Sequence, residues 1–72
     1  MKIRYSKHAL DRLKQRVISK RLITEALING QNREILEYEK IKCVYKFGTK
    51  KLIVIYKQDK EIYIIITSYY EN

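Results

Sequence analysis

The sequence predicts an α+β domain, an N-terminal two-helix hairpin packed on a four-stranded antiparallel β-sheet. Between residues 6 and 28 apolar side chains recur at spacings of three and four, the period of a helix buried on one face. From Arg33 onward the period changes to two, and β-branched residues and tyrosines dominate, as in strands. The apolar runs of that second half are separated only by short polar turns, which favours hairpins and therefore antiparallel neighbours.

Met1 to Tyr5 alternates Ile3 and Tyr5 with Lys2 and Arg4 and reads as a short extended lead-in. Ser6 opens the first helix, Ser6 to Val17: its hydroxyl is placed to accept from the backbone N–H of His8 or Ala9, and Tyr5 and Leu10 have the spacing of a hydrophobic staple. At about 100° per residue Ala9, Leu10, Leu13 and Val17 share one face, and His8, Arg12 and Arg16 form a ridge along its edge, expected to be half buried. Asp11 faces away from the ridge as a solvated charge. Val17-Ile18-Ser19 ends the helix without glycine or proline. Ser19 caps the second helix, Lys20 to Ile28, with Ile18 and Ile23 at staple spacing, and Asn29-Gly30 predicts a left-handed stop. Leu22, Ile23, Ala26 and Leu27 form its apolar face.

Four strands follow, Arg33 to Tyr38, Ile41 to Phe47, Lys51 to Lys57 and Glu61 to Tyr70, joined by turns at Glu39-Lys40, Gly48-Thr49-Lys50 and Gln58-Asp59-Lys60. The inner runs Leu52-Ile53-Val54-Ile55-Tyr56 and Ile62-Tyr63-Ile64-Ile65-Ile66 are apolar on both faces. One face is expected to meet the helices and the other a partner, an acidic protein or a second copy.

A chain of 72 residues makes one domain, residues 1 to 72, near the lower limit for burying a core without cross-links. Cys43, the one cysteine, has no second thiol to pair with, so a disulfide framework and a zinc site are both excluded. It reads as a reduced core residue. No metal and no cofactor is expected. Residues 1 to 5 carry no signal-peptide core, and the apolar runs fall far below the roughly 20 residues of a membrane helix, which predicts a cytoplasmic protein with no membrane partner. The net charge of +8 is unevenly placed: residues 1 to 33 carry nine Lys/Arg against Asp11 and Glu25, a balance of +7. A basic helical half suits a polyanion, and without an amphipathic helix rich in Trp, Phe or Leu, RNA is the expected partner. Arg4, Lys7, Lys14, Lys20 and Arg21 are the candidate RNA-binding cations.

The pattern Ser6-x-His8-Ala9-x-x-Arg12-x-x-x-Arg16-x-Ile18-Ser19, followed by the second helix, Leu52-Ile53-Val54 and Ile66-Thr67-Ser68-Tyr69, resembles the domain of unknown function 4258 family over nearly the whole chain. The family pattern usually has glycine where this chain has Val17. That family in turn resembles the RelE-like and barnase/colicin-like group of small ribonuclease folds, which includes toxins of bacterial toxin-antitoxin pairs. The resemblance implies a metal-independent endoribonuclease with catalytic groups from the first helix and the sheet.

Cleaving RNA through its own 2′-hydroxyl requires a base for that hydroxyl, a cation for the charge building on phosphate, and an acid for the departing 5′ oxygen. His8 is the candidate base, the two arginines of its ridge favouring the neutral imidazole. Arg12 and Arg16 are the phosphate ligands, and Thr67 and Tyr69 the supporting sheet groups. The acid is open between Tyr69, Tyr70 and a lysine such as Lys46. Strict alternation puts Thr67 and Tyr69 on one face with Ile65 and Tyr63, and Tyr70 opposite. Two other functions fit the same residues: a non-catalytic nucleic-acid-binding module whose tyrosines stack on bases, and a protein-interaction domain using the outer face of the sheet.

Overall fold

The computed structural model describes residues 1–71. In chain order it consists of β1 (Lys2–Tyr5), α1 (Lys7–Arg16), α2 (Lys20–Asn29), β2 (Asn32–Ile35), a single 3-10 turn at Glu37–Glu39, β3 (Ile41–Phe47), β4 (Lys50–Asp59) and β5 (Ile62–Glu71). Both helices begin at serine caps. The Ser6 hydroxyl accepts from the Ala9 N–H at 3.0 Å and that of Ser19 from the Leu22 N–H at 3.0 Å, each satisfying one backbone donor that has no partner inside its helix.

The strands form one five-stranded mixed sheet in the order β1-β5-β4-β3-β2. The expected four-stranded antiparallel sheet is corrected at its two edges. The lead-in Lys2–Tyr5 is a true strand, parallel to Ile62–Ile65 of β5. Its partner lies some sixty residues away and no hairpin turn announces it, so local pattern shows only an isolated extended segment. The strand expected over Arg33 to Tyr38 stops at Ile35, because Tyr38 and Glu39 take left-handed backbone with φ of 59° and 60° and the chain turns before β3. Between them β3, β4 and β5 form the expected antiparallel meander, with two-residue turns at Gly48-Thr49 and Lys60-Glu61.

The helices cover one face of the sheet. Ala9, Leu13, Ile18, Ile23, Ala26 and Leu27 pack against Cys43, Leu52, Val54, Tyr56 and Ile65 in a single buried cluster. Val17, expected on that apolar face, is instead 86% exposed and left-handed, with φ of 53°, and closes α1 through its own N–H. Ile18 takes its place in the core. Left-handed backbone costs an ordinary side chain about 1–2 kcal/mol. Val17→Gly should therefore stabilise the domain by about 1 kcal/mol after the entropy lost at glycine, raising Tm by roughly 4–8 °C in a domain of this size; a thermal melt showing no increase would contradict the strain.

The left-handed stop expected at Asn29-Gly30 is also corrected, since Gly30 has φ of −57° and ψ of 137°, open to any residue. The demand there is for space. A Cβ on Gly30 would meet the Cys43 sulfur and lie 2.6 Å from the Ala26 carbonyl oxygen. Around that contact the Cys43 thiol donates to the Ala26 carbonyl at 3.2 Å, and the Arg33 guanidinium donates to the Leu27 carbonyl at 2.5 Å and to the Cys43 sulfur. These bonds satisfy carbonyls at the end of α2 and tie it to β2 and β3.

Burial pushes the Cys43 thiol above its ordinary 9.0, with Arg33 partly opposing, and pushes the Tyr5 and Tyr56 hydroxyls above 10.0. An acid whose folded value is raised keeps its proton longer in the native state, so the unfolded chain binds fewer protons and stability falls as pH rises. Urea midpoints should be flat to about pH 9 and decline above it, and Tyr5→Phe should lessen the decline. A midpoint rising through this window would reverse the sign.

Candidate nucleic-acid interface

On the solvent side of α1 the spacing of four brings His8 and Arg12 together. Arg12 Nε donates to His8 Nε2 at 3.3 Å while Arg12 Nη1 donates to Gln15 Oε1 at 2.7 Å. The first bond is accepted by a ring nitrogen of His8, and the second ties the same guanidinium to the next turn of the helix. Gln15 was invisible as a site residue from composition, although its place three residues after Arg12 is the spacing at which helical side chains meet. The ridge is less buried than its position at the edge of the apolar face suggests: only Arg12 is half-buried, and His8 and Arg16 are exposed.

Arg16 is held elsewhere. Its Nη1 donates to the Ser68 backbone carbonyl at 2.6 Å, and its guanidinium carbon stands 6.0 Å from the centre of the Tyr69 ring. The reason lies in the unequal lengths of β1 and β5. Pairing with β1 ends where Tyr5 faces Ile65 and the Ser6 N–H donates to the Ile65 carbonyl at 3.3 Å. Beyond that point β5 continues for six residues with α1 beside it, and Arg16 supplies a donor to a carbonyl that a neighbouring strand would otherwise occupy.

The sheet residues of the expected set divide by face. Ile55 pairs with Thr67 but Tyr56 pairs with Ile65, so Ile66 is an extra residue, a β-bulge that shifts the alternation. Thr67 and Tyr69 consequently share the open face with Ile53 and Ile55, not the face of Ile65 and Tyr63. Ser68 and Tyr70 point to the helix side. Ser68 is fully buried there, and its hydroxyl makes no hydrogen bond to the described residues. The structure thus brings together His8 with Arg12, and Arg16 with Tyr69. It does not bring His8 to Thr67 or Tyr69: His8 and Arg16 lie two turns apart on α1, about 12 Å at 1.5 Å per residue, and Thr67 projects from the far side of the sheet.

The candidate RNA-binding cations also divide. Lys7, Lys14 and Lys20 rim a groove of about 430 Å³ between the helices, floored by Leu10, Leu13 and Ile18 and carrying Asp11 at its edge. Lys20 Nζ further lies 5.2 Å from the Tyr5 ring centre. Arg21 is exposed and within 3.5 Å of Glu25, an i,i+4 pair of small energetic weight. Arg4 projects from the open face of the sheet, set by its pairing with Ile64, as does Lys46, the lysine among the candidate acids, by its pairing with Lys51.

The fold and this surface define a small α+β domain with a basic N-terminal helix laid along the free edge of an antiparallel meander. The family model for the domain of unknown function DUF4258 matches residues 5–70, and the chain belongs to that family. No curated protein and no solved structure matches. Among the described residues no helix is long and apolar enough to cross a membrane.

Proposed function

We propose that the protein is a toxin-like, metal-independent endoribonuclease of RelE-like kind, acting on RNA with His8 as base. The observation that supports this reading is the exposed His8 with a lone-pair nitrogen already facing a guanidinium on a strongly basic helix. In the proposed reaction Arg12 swings from Nε2 to a phosphate oxygen, and Nε2 takes the proton of the ribose 2′-hydroxyl. The 2′ oxygen then forms its bond to phosphorus, and the bond from phosphorus to the 5′ oxygen breaks. The products are a 2′,3′-cyclic phosphate and a 5′-hydroxyl, the departing oxygen taking its proton from solvent or an acid. In this reading Arg16, which stands at Tyr69 two turns from His8, serves a neighbouring phosphate.

That separation favours a second reading, a non-catalytic RNA-binding module using the same cations. Either way affinity for RNA should fall steeply with salt, and Arg12→Ala should flatten the log-log slope by up to about one unit. Lys57→Ala, in the last hairpin, should change it much less. Titrations showing equal effects from both would mean that the charge asymmetry serves solubility alone. An acidic antitoxin, the proposed protein partner, would complement the lysine rim of the helical groove and cover His8 and Arg12 as it bound.

A further inference from the structure

Beyond the α1 ridge, one end of the sheet carries aromatic rings that the helices leave partly open. Tyr45 and Phe47 on β3 stack with centroids 5.3 Å apart and planes inclined by 26°, and Tyr70 on β5 follows with its centroid 6.5 Å from that of Phe47. Register places all three on one face: Tyr45 opposes Leu52, Leu52 opposes Tyr70, and Phe47 opposes Lys50. Leu52 between them is fully buried, whereas each ring is half-buried with part of its surface in solvent. Lys50 reaches over the group, its Nζ 5.3 Å from the Tyr70 ring centre.

We infer that Tyr45, Phe47 and Tyr70, with Lys50, form a stacking site for unpaired nucleobases of single-stranded RNA. This inference rests on the RNA reading above and deepens it by naming the form of RNA. The rings rest on the core and keep part of their surface in solvent, where a base can stack against them, and stacking of that kind is sequence-tolerant. Lys50 at the rim and Arg16, fastened to the carbonyl of Ser68 two residues before Tyr70, supply charge for the flanking phosphates. Bases inside a duplex are already stacked on each other and cannot present their faces. The site should therefore discriminate by strandedness, which a purely electrostatic surface does not. The distance along β5 from Ile65, where α1 begins, to Tyr70 is about 16 Å at 3.3 Å per residue, so a strand of a few nucleotides would run from the His8 end of α1 to the rings.

Fluorescence anisotropy tests this with a labelled 12-nucleotide 2′-O-methyl RNA, which cannot be cleaved through its 2′ oxygen. Its duplex form and an abasic oligomer of the same length and charge serve as comparators. The single strand should bind about tenfold more tightly than either comparator, and Phe47→Leu should lose roughly tenfold for the single strand alone, with the salt slope unchanged. The abasic comparison uses the wild-type protein and keeps the test decisive if Phe47→Leu does not fold. Equal affinity for the single strand and the abasic oligomer, or tighter binding of the duplex, would overturn the stacking site and leave the RNA reading standing. Absence of binding to every oligomer would overturn both.

Discussion

His8→Ala should reduce RNA cleavage by at least about 100-fold, the usual contribution of a positioned general base, while leaving affinity for RNA within about twofold because the phosphate contacts remain. The fold should be untouched: His8 is exposed, its one side-chain hydrogen bond among the described residues is to Arg12 four residues on, and it contributes nothing to the buried cluster. The measurement is single-turnover cleavage of a labelled RNA alongside a thermal melt. A cleavage rate equal to that of the wild type would remove His8 from the chemistry. A melting point lowered in step with activity would make it a packing residue. Gln15→Ala should have a lesser effect in the same assay, because it frees the Arg12 guanidinium without removing it.

Leu52→Ala should cost about 2–5 kcal/mol, the range for deleting a buried leucine side chain. Leu52 has no exposed surface and lies on β4, the middle strand, between Tyr45 on one side and Tyr70 on the other. At the usual 0.05–0.15 kcal/mol per residue a chain of this length has only about 4–11 kcal/mol of stability, so this one change should lower the urea midpoint severely and leave some preparations largely unfolded at room temperature. A loss below about 1 kcal/mol would mean that the site collapses around the deletion and that the core is less closely packed than its burial implies.

What could be read in the sequence was whatever depends on neighbours close in the chain. The serine caps, the His8-Arg12 spacing and the turn at Gly48-Thr49 are local, and the structure reproduces them, whereas the last turn falls at Lys60-Glu61 and not at Gln58-Asp59-Lys60 because β4 runs on to Asp59. The parallel β1 has no such marker, because its hydrogen-bond partners are at Ile62–Ile65. The β-bulge at Ile66 was hidden by the very run that identifies the strand: in Ile64-Ile65-Ile66 every residue is apolar, so no polar position marks where the alternation shifts. That shift moved Thr67 and Tyr69 to the open face. The contact between Arg16 and Tyr69 joins residues more than fifty apart, and only the mismatch in length between β1 and β5 creates it. Conversely, glycine preference led to a wrong left-handed stop at Gly30, where space beside Cys43 is the demand, while Val17 took the left-handed conformation that its β-branched side chain disfavours.

The most direct test of the proposed ribonuclease activity is the end-group chemistry of its products. Purified protein incubated with a 5′-labelled single-stranded RNA in buffer containing a chelator should yield fragments ending in 2′,3′-cyclic phosphate, with 5′-hydroxyl on the downstream pieces, and the 2′-O-methyl form of the same RNA should stay intact. RNA left uncut under these conditions, or fragments bearing 5′-phosphate, would contradict attack by the 2′ oxygen and with it the role given to His8.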